Sequence, residues 1–226
     1  MARLDRLGGA KAVAQTASVI GRLFPYDLLA TVAETDDNGL REGLELLCGS
    51  GLIFAAGAEA ELAYSFNHAL IQEAAYESLS RARRQALHEK IARALESGAA
   101  ANGASEPAVI AHHYSRAGKF EKASQFWLLV ADRSGERLAF IESVGAINFA
   151  LREAEQITHP VLRASLKLDA QLKLGRSLVF QKGPQSTEAE LAFTEAHRLA
   201  KEASAGPQLF QSAWGLYVNA ARNRVA

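Results

Sequence analysis

Phe66-Asn67-His68-Ala69-Leu70-Ile71-Gln72-Glu73-Ala74-Ala75-Tyr76-Glu77-Ser78-Leu79 is the stretch on which the fold turns. Leu70, Ile71, Ala74, Ala75 and Leu79 recur three and four apart, which predicts one buried face of a helix. Gln72, Glu73 and Glu77 fall on the other face. Just before it, Leu62, Tyr64 and Phe66 alternate with Glu61, Ala63 and Ser65, the period of a half-buried strand. The residues before His68 read as one small compact unit, and those after it as a series of helices. The run is the joint between two architectures.

Toward the N-terminus, a helix is predicted from about Gly9 to Ile20, with Val13, Ala17 and Ile20 on one face and Gly21 ending it. Pro25 interrupts, and Tyr26 to Val32 forms a short second helix. Asp36 and Asp37 are N-cap candidates for a third, in which Leu40, Leu44 and Leu47 make an apolar stripe. Gly49 and Gly51 stop it, and Leu52–Ala55 and Glu61–Phe66 then form two short strands around a turn containing Gly57. Three helices and a short β-hairpin are the outline of a winged helix, a shape that raises the question of DNA binding through the third helix. The charges argue against it. That helix carries Asp36, Asp37, Glu42 and Glu45 against Arg41 alone, and the hairpin adds Glu59 and Glu61, so this face repels phosphates.

Beyond the joint, Ser80 is placed to cap a helix over residues 81–96 with Leu87, Ile91, Ala94 and Leu95 inside. Arg81, Arg83, Arg84, Lys90 and Arg93 make its other face basic, read as a solvated face, with an acidic partner surface as the alternative. Residues 97–105, rich in Gly, Ala, Asn and Ser, are linker-like, and Pro107 opens the next helix. Ala111, Tyr114, Gly118, Phe120, Ala123 and Trp127 follow the small-and-large order of a tetratricopeptide repeat. Phe120, Ala123, Trp127, Val130, Ser134 and Leu138 form one stripe, and Phe140, Val144, Ile147, Leu151 and Ala154 another. After Pro160, a helix through Leu162, Leu166, Leu168, Leu172, Leu174 and Leu178 is apolar over a wide arc, as a helix with neighbours on two sides should be. Thr187 and Glu190 have capping-box spacing ahead of Ala189, Ala192, Phe193, Ala196, Leu199 and Ala200. The last helix presents Phe210, Ala213, Trp214, Tyr217 and Ala221, and lacks the polar face of a capping helix, so further repeats or a partner surface are expected against it. The expected architecture is mainly α: a winged helix over 1–79, a connecting helix and linker over 80–105, and a tetratricopeptide-like α-helical repeat array over 106–226.

In order, "RLDRLG", "ASVIGRLFPYDLL", "FNHALIQEAAYESL", "RRQALHEKIARALE", "AHHYSRAGKFEKASQFWLLVADR" and "PQLFQSAWGLY" resemble the region after the nucleotide-binding domain of bacterial signal-transducing ATPases of the STAND/AAA type. Those fused to class III adenylate and guanylate cyclases are the nearest in kind. The resemblance covers nearly the whole sequence and is specific as a linear series. It implies a regulatory, protein-interaction fragment without catalysis of its own. In such a protein, a protein or small effector on the helical repeats is coupled to an attached P-loop ATPase and a cyclase output. Any ATP or ADP would be bound elsewhere in a longer parent. It further implies that His68 resembles a winged-helix histidine able to face the phosphates of a bound nucleotide from outside the P-loop domain. A helix N-terminus favours negative charge, so the position suits that role. The other reading of His68 is a packed side chain at the strand–helix junction, satisfying a backbone carbonyl.

Composition bounds the rest. Lys+Arg and Asp+Glu both number 25, so no overall field attracts nucleic acid or anionic lipid. The single Cys48 excludes a disulfide framework and suits a reducing, cytoplasmic setting, and no apolar run approaches the roughly 20 residues that span a bilayer. The N-terminus has no signal-peptide core. No Gly-x-x-x-x-Gly-Lys-Ser/Thr run and no acidic Walker B strand is present, which leaves the protein without a nucleotide-hydrolysing centre. His112 and His113 are adjacent, so on a helix their imidazoles diverge instead of sharing a metal. Cys48 beside a leucine stripe reads as a buried thiol. An enzyme reading, as part of an adenylate cyclase polypeptide, and a DNA-binding regulator are the two rivals.

Overall fold

The structure is a computed structural model that describes residues 8–56, 62–98 and 106–223, with side chains as far as 220. Among the described residues are eleven helices and a three-stranded sheet, so the protein is mainly α. It divides into two compact units, Met1–Gly118 and Lys119–Ala226.

In the first unit α1 (Gly9–Ile20), α2 (Tyr26–Val32) and α3 (Asp37–Gly49) form where the apolar spacing predicts them. Asp36 is the N-cap of α3 and accepts from the Gly39 amide at 2.9 Å. Asp37 is already helical and instead accepts from the Tyr26 hydroxyl and, at 2.8 Å, from Arg41 Nε. Gly51, at φ +68, turns the backbone out of α3 into β2 (Ile53–Ala56). β2 pairs antiparallel with β3 (Ala63–Phe66), in register Ile53 to Phe66. The expected Gly57 turn, with Glu59 and Glu61, lies outside the described residues.

A third strand, β1 (Leu23–Pro25), joins the far edge of β3 with Leu23 opposite Ser65, giving the order β1-β3-β2. Three residues ending in a proline carry too short an alternation to be read as a strand; pairing with β3 makes it one. Phe24 and Phe66 are fully buried on the inner face, with ring centroids 5.5 Å apart. The core they join is closed by Ala10, Val13, Ala14 and Ala17 of α1 and by Leu40, Leu44 and Leu47 of α3. Gly43 lets α3 approach α1: a Cβ there would stand 2.8 Å from Val13 Cγ2.

α4 (Ala69–Glu77) docks on α1 with a rotation the spacing did not anticipate. Ala75 and Leu79 are buried, and Gln72, expected outside, donates to the Ser18 carbonyl at 3.1 Å. Leu70, expected inside, is 76% exposed. It sits on the opposite side of the helix from Ala75, and α1 covers only one side of α4.

α5 (Arg81–Glu96), capped by Ser80, packs on α1 and α2, and α6 (Pro107–Arg116) packs on α5. The expected breaks at 79 and 105 therefore fall inside the first unit. Residues 99–105 of the expected linker lie outside the described residues. The basic face of α5 is largely engaged: Arg83 pairs with Glu34, Arg84 Nε donates to the Leu79 carbonyl at 3.0 Å, and Lys90 reaches the Ala33 carbonyl at 3.4 Å. These cations tie α5 to the ends of α2 and α4, where C-terminal carbonyls have no partner within their own helix.

The second unit holds α7 (Phe120–Glu136), α8 (Phe140–Glu155), α9 (Pro160–Lys182), α10 (Thr187–Glu202) and α11 (Gly206–Asn223). Each packs on the next, and α9 also touches both α7 and α11. Small residues set the α7–α8 approach. Buried Ser124 donates to the Ala150 carbonyl and buried Ser143 to the Ala131 carbonyl, both at 3.0 Å. Leu138, expected in the α7 stripe, is 74% exposed at φ +60, beyond the end of the helix. The cap of α10 is Ser186, one residue ahead of the expected Thr187, accepting from the Ala189 amide at 3.2 Å. Of the face expected on α11, Phe210, Trp214 and Tyr217 are exposed, and Ala221 lies outside the described side chains.

Phe193 of α10 lies against backbone on two helices. A Cβ on Gly175 of α9 would stand 2.7 Å from its ring, and one on Gly215 of α11 would stand 2.6 Å away. Gly175→Ala is expected to lower the stability of this unit by about 1–3 kcal/mol, the usual cost of overpacking. Adding Phe193→Leu is expected to recover part of the loss. Urea titrations of the two variants check this; equal stability of Gly175→Ala and the parent would contradict it.

Candidate functional site

The first unit carries an open cavity of about 330 Å³ beside the C-terminal end of α1. α1 supplies Ser18, Val19 and Ile20, α4 supplies Ala69, Gln72, Glu73 and Tyr76, α5 supplies His88, and α6 supplies His112, His113 and Arg116.

His88 and His113 are each 4% exposed, and their Nδ1 atoms lie 2.9 Å apart. His88 Nε2 meets the Tyr76 hydroxyl at 3.1 Å, and the Arg84 guanidinium stands 4.9 Å over the Tyr76 ring. Tyr76, His88 and His113 thus form one hydrogen-bonded relay across α4, α5 and α6. His112, the neighbour of His113, is exposed, with its ring 6.4 Å from that of His88.

Burial pushes both buried imidazoles toward the neutral form. His88 falls to about 3, through desolvation first and then the charges of His113, His112 and Arg116. His113 falls to about 4, through desolvation and then His112. Among the described residues no group of three or more His, Cys, Asp or Glu is arranged to hold a metal ion.

His112 and His113, expected to diverge, both line the cavity with ring centroids 5.9 Å apart, and of the two only His113 is buried. Its partner, His88, does not stand out in the sequence as a site residue. The signal lies in the α5 pattern, where His88 falls between Leu87 and Ile91 on the buried stripe.

His68 stands apart from this cluster. It is the exposed N-cap residue of α4; its side chain makes no capping bond, and its carbonyl accepts from the Ile71 amide at 3.0 Å. Cys48 is half-buried, and burial pushes its thiol up, away from the nucleophilic thiolate.

The second unit has its own cavity, of about 230 Å³, between α7, α8 and α9. Phe140 and Phe180 stack at 4.9 Å on one wall, and Ser143 and Ser177 share a hydrogen bond of 3.1 Å on another. Lys173 bonds Asp132 at 2.6 Å at its edge. No helix among the described residues is long and apolar enough to cross a membrane.

An uncharacterised protein of Rhizobium meliloti (strain 1021) is 29% identical over 226 residues, 99% of this protein and 22% of its own length. The sequence thus spans about a fifth of the curated relative it matches. No family model and no solved structure matches it.

The histidine pair makes the first unit acid-sensitive. Imidazoles in an unfolded polypeptide titrate near 6.5, well above the folded values. Between the two, the unfolded state binds more protons, so this contribution is fully present above pH ~6.5 and is lost as pH falls toward 4. Stabilities of the intact protein from urea titrations are expected to be flat from pH 8 to 7 and to fall steadily below about 6.5, by on the order of 2 kcal/mol per imidazole at pH 5. His113→Gln is expected to be less stable at neutral pH and to show a shallower fall; an unchanged slope would remove the pair as its cause.

Proposed function

We propose that this protein is a regulatory, protein-interaction section of a longer signal-transducing ATPase. In this reading, partner or effector binding on the helices of the second unit is coupled through the first unit to an attached nucleotide-binding domain. Cyclic nucleotide synthesis is the output that the resemblance suggests.

The observation that carries the reading is the packing of α7 to α11, each helix on the next and α9 on both α7 and α11. Helical hairpins stacked in a tetratricopeptide-like array pack in this way, each repeat contacting only its neighbours. The exposed Phe210, Trp214 and Tyr217 of α11, and the cavity between α7, α8 and α9, offer surfaces for a protein or small effector. In the first unit, α1, α2 and α3 followed by the β2–β3 pair fit a winged helix, with β1 as its third strand.

No nucleic-acid partner is proposed, because Asp36, Asp37, Glu42 and Glu45 are all exposed on α3 or at its cap. The length of the Rhizobium relative, several times the span matched here, supports a place inside a larger polypeptide. His68 is proposed as a contact to nucleotide bound on the attached ATPase domain, since its exposed side chain at the start of α4 leaves it open to such a neighbour.

DNA sequence flanking the reading frame tests the first part: a P-loop domain encoded upstream is expected, and a parent polypeptide without one would overturn the reading. The purified 226-residue protein is expected to turn over no ATP. In the parent protein, His68→Ala is expected to change ADP affinity or exchange at least several-fold. Unaltered ADP binding would take His68 out of the nucleotide site.

A further inference from the structure

One direction of the hydrogen-bonded relay in the first unit gives its tyrosine an acceptor. If His113 Nδ1–H donated to His88, then His88 Nε2–H would donate to Tyr76, and the phenolic proton would have no acceptor among the described residues. Run the other way, every proton but the last is placed: the Tyr76 hydroxyl donates to His88 Nε2, and His88 Nδ1–H donates to His113 Nδ1. The remaining proton sits on His113 Nε2, on a side chain that is 4% exposed and lines the cavity, with no acceptor among the described residues. An acceptor bound in the cavity takes that proton in place of solvent.

Two opposite charges line the same cavity. Arg116 on α6 and Glu73 on α4 both contribute to its wall, and among the described residues they form no ion pair with each other or with any third group. The last turn of α1, Ser18 to Ile20, also lines the cavity and is the negative end of that helix's dipole. The lining thus carries a guanidinium and an imidazole N–H from α6 and a carboxylate from α4. A simple anion meets repulsion from Glu73, and a simple amine meets it from Arg116.

We propose that this cavity is a binding site for a small zwitterion of the amino-acid type. Its carboxylate takes the Arg116 guanidinium and the His113 Nε2 proton. Its ammonium faces Glu73 and the end of α1. A volume of about 330 Å³ accommodates such a molecule with room for a side chain or water. This goes beyond the proposed function by placing a small-molecule site in the first unit, and it does not depend on what the second unit binds.

The test uses the whole protein, with histidine ring signals followed by NMR and heats by calorimetry. Common L-amino acids are titrated in turn at neutral pH, with acetate, inorganic phosphate and n-butylamine as single-charge probes. At least one amino acid is expected to bind saturably and to shift the His113 and His88 ring signals, at least tenfold more tightly than any single-charge probe. Arg116→Gln and Glu73→Gln, both at exposed positions, are expected to weaken it at least tenfold while leaving the urea midpoint unchanged. Absence of any amino-acid shift at His113 would overturn the proposal. So would phosphate or acetate binding as tightly, or binding that is indifferent to both variants.

Discussion

One helix with an alanine face sets the geometry of the first unit. α1 buries Ala10, Ala14 and Ala17 almost completely, and α3, α4 and α5 all pack against it. Side chains that short let neighbouring helices come close on several sides, and Gly43 on α3 shortens one of those approaches further. Burial of this apolar surface supplies the driving force, at roughly 25 cal/mol per Å². The close approach decides which polar groups must also come inside. Gln15 reaches Ser78 at 2.8 Å and Gln72 reaches the Ser18 carbonyl, so α4 is held by hydrogen bonds as well as by apolar contact.

The histidine relay follows from the same constraint. With α5 docked on α1 and α2, its inner stripe is buried along its length, and His88 lies in that stripe. A buried imidazole needs partners for its ring nitrogens, and α4 and α6 supply them as Tyr76 and His113. The cost is an acid-labile core, since protonating either ring places a charge among groups packed for a neutral one. The cavity beside the pair is where the packing of α1, α4, α5 and α6 leaves space, and its polar lining sets it apart from an ordinary packing void.

The second unit solves packing differently. Serines and alanines bring α7 and α8 together, glycines on α9 and α11 make room for Phe193, and aromatic pairs such as Trp127 with Phe149, at 4.6 Å, cover the flanks. The result is a stack in which most stabilisation passes between sequence neighbours. On α11 one face carries the exposed Phe210, Trp214 and Tyr217, while Ser212 and Asn219 are buried on the other, with Asn219 donating to the Ser186 carbonyl at 3.1 Å.

Helix positions, caps and breaks were legible in the sequence because each depends on residues within a turn or two. Gly9–Ile20, Tyr26–Val32, the Asp36 and Ser80 caps and the Pro107 and Pro160 starts are of that kind. What only the tertiary structure decided are the facts that depend on a distant neighbour. These are the strand at Leu23–Pro25, the side of α4 that faces inward, the use of Arg83, Arg84 and Lys90 as helix ties, and the meeting of His88 with His113 across 25 positions. Periodicity tells which residues of a helix share a face, and says nothing about which helix that face will meet. The cavity and its opposed charges belong to that second kind of information, because they arise only where four separately legible helices converge.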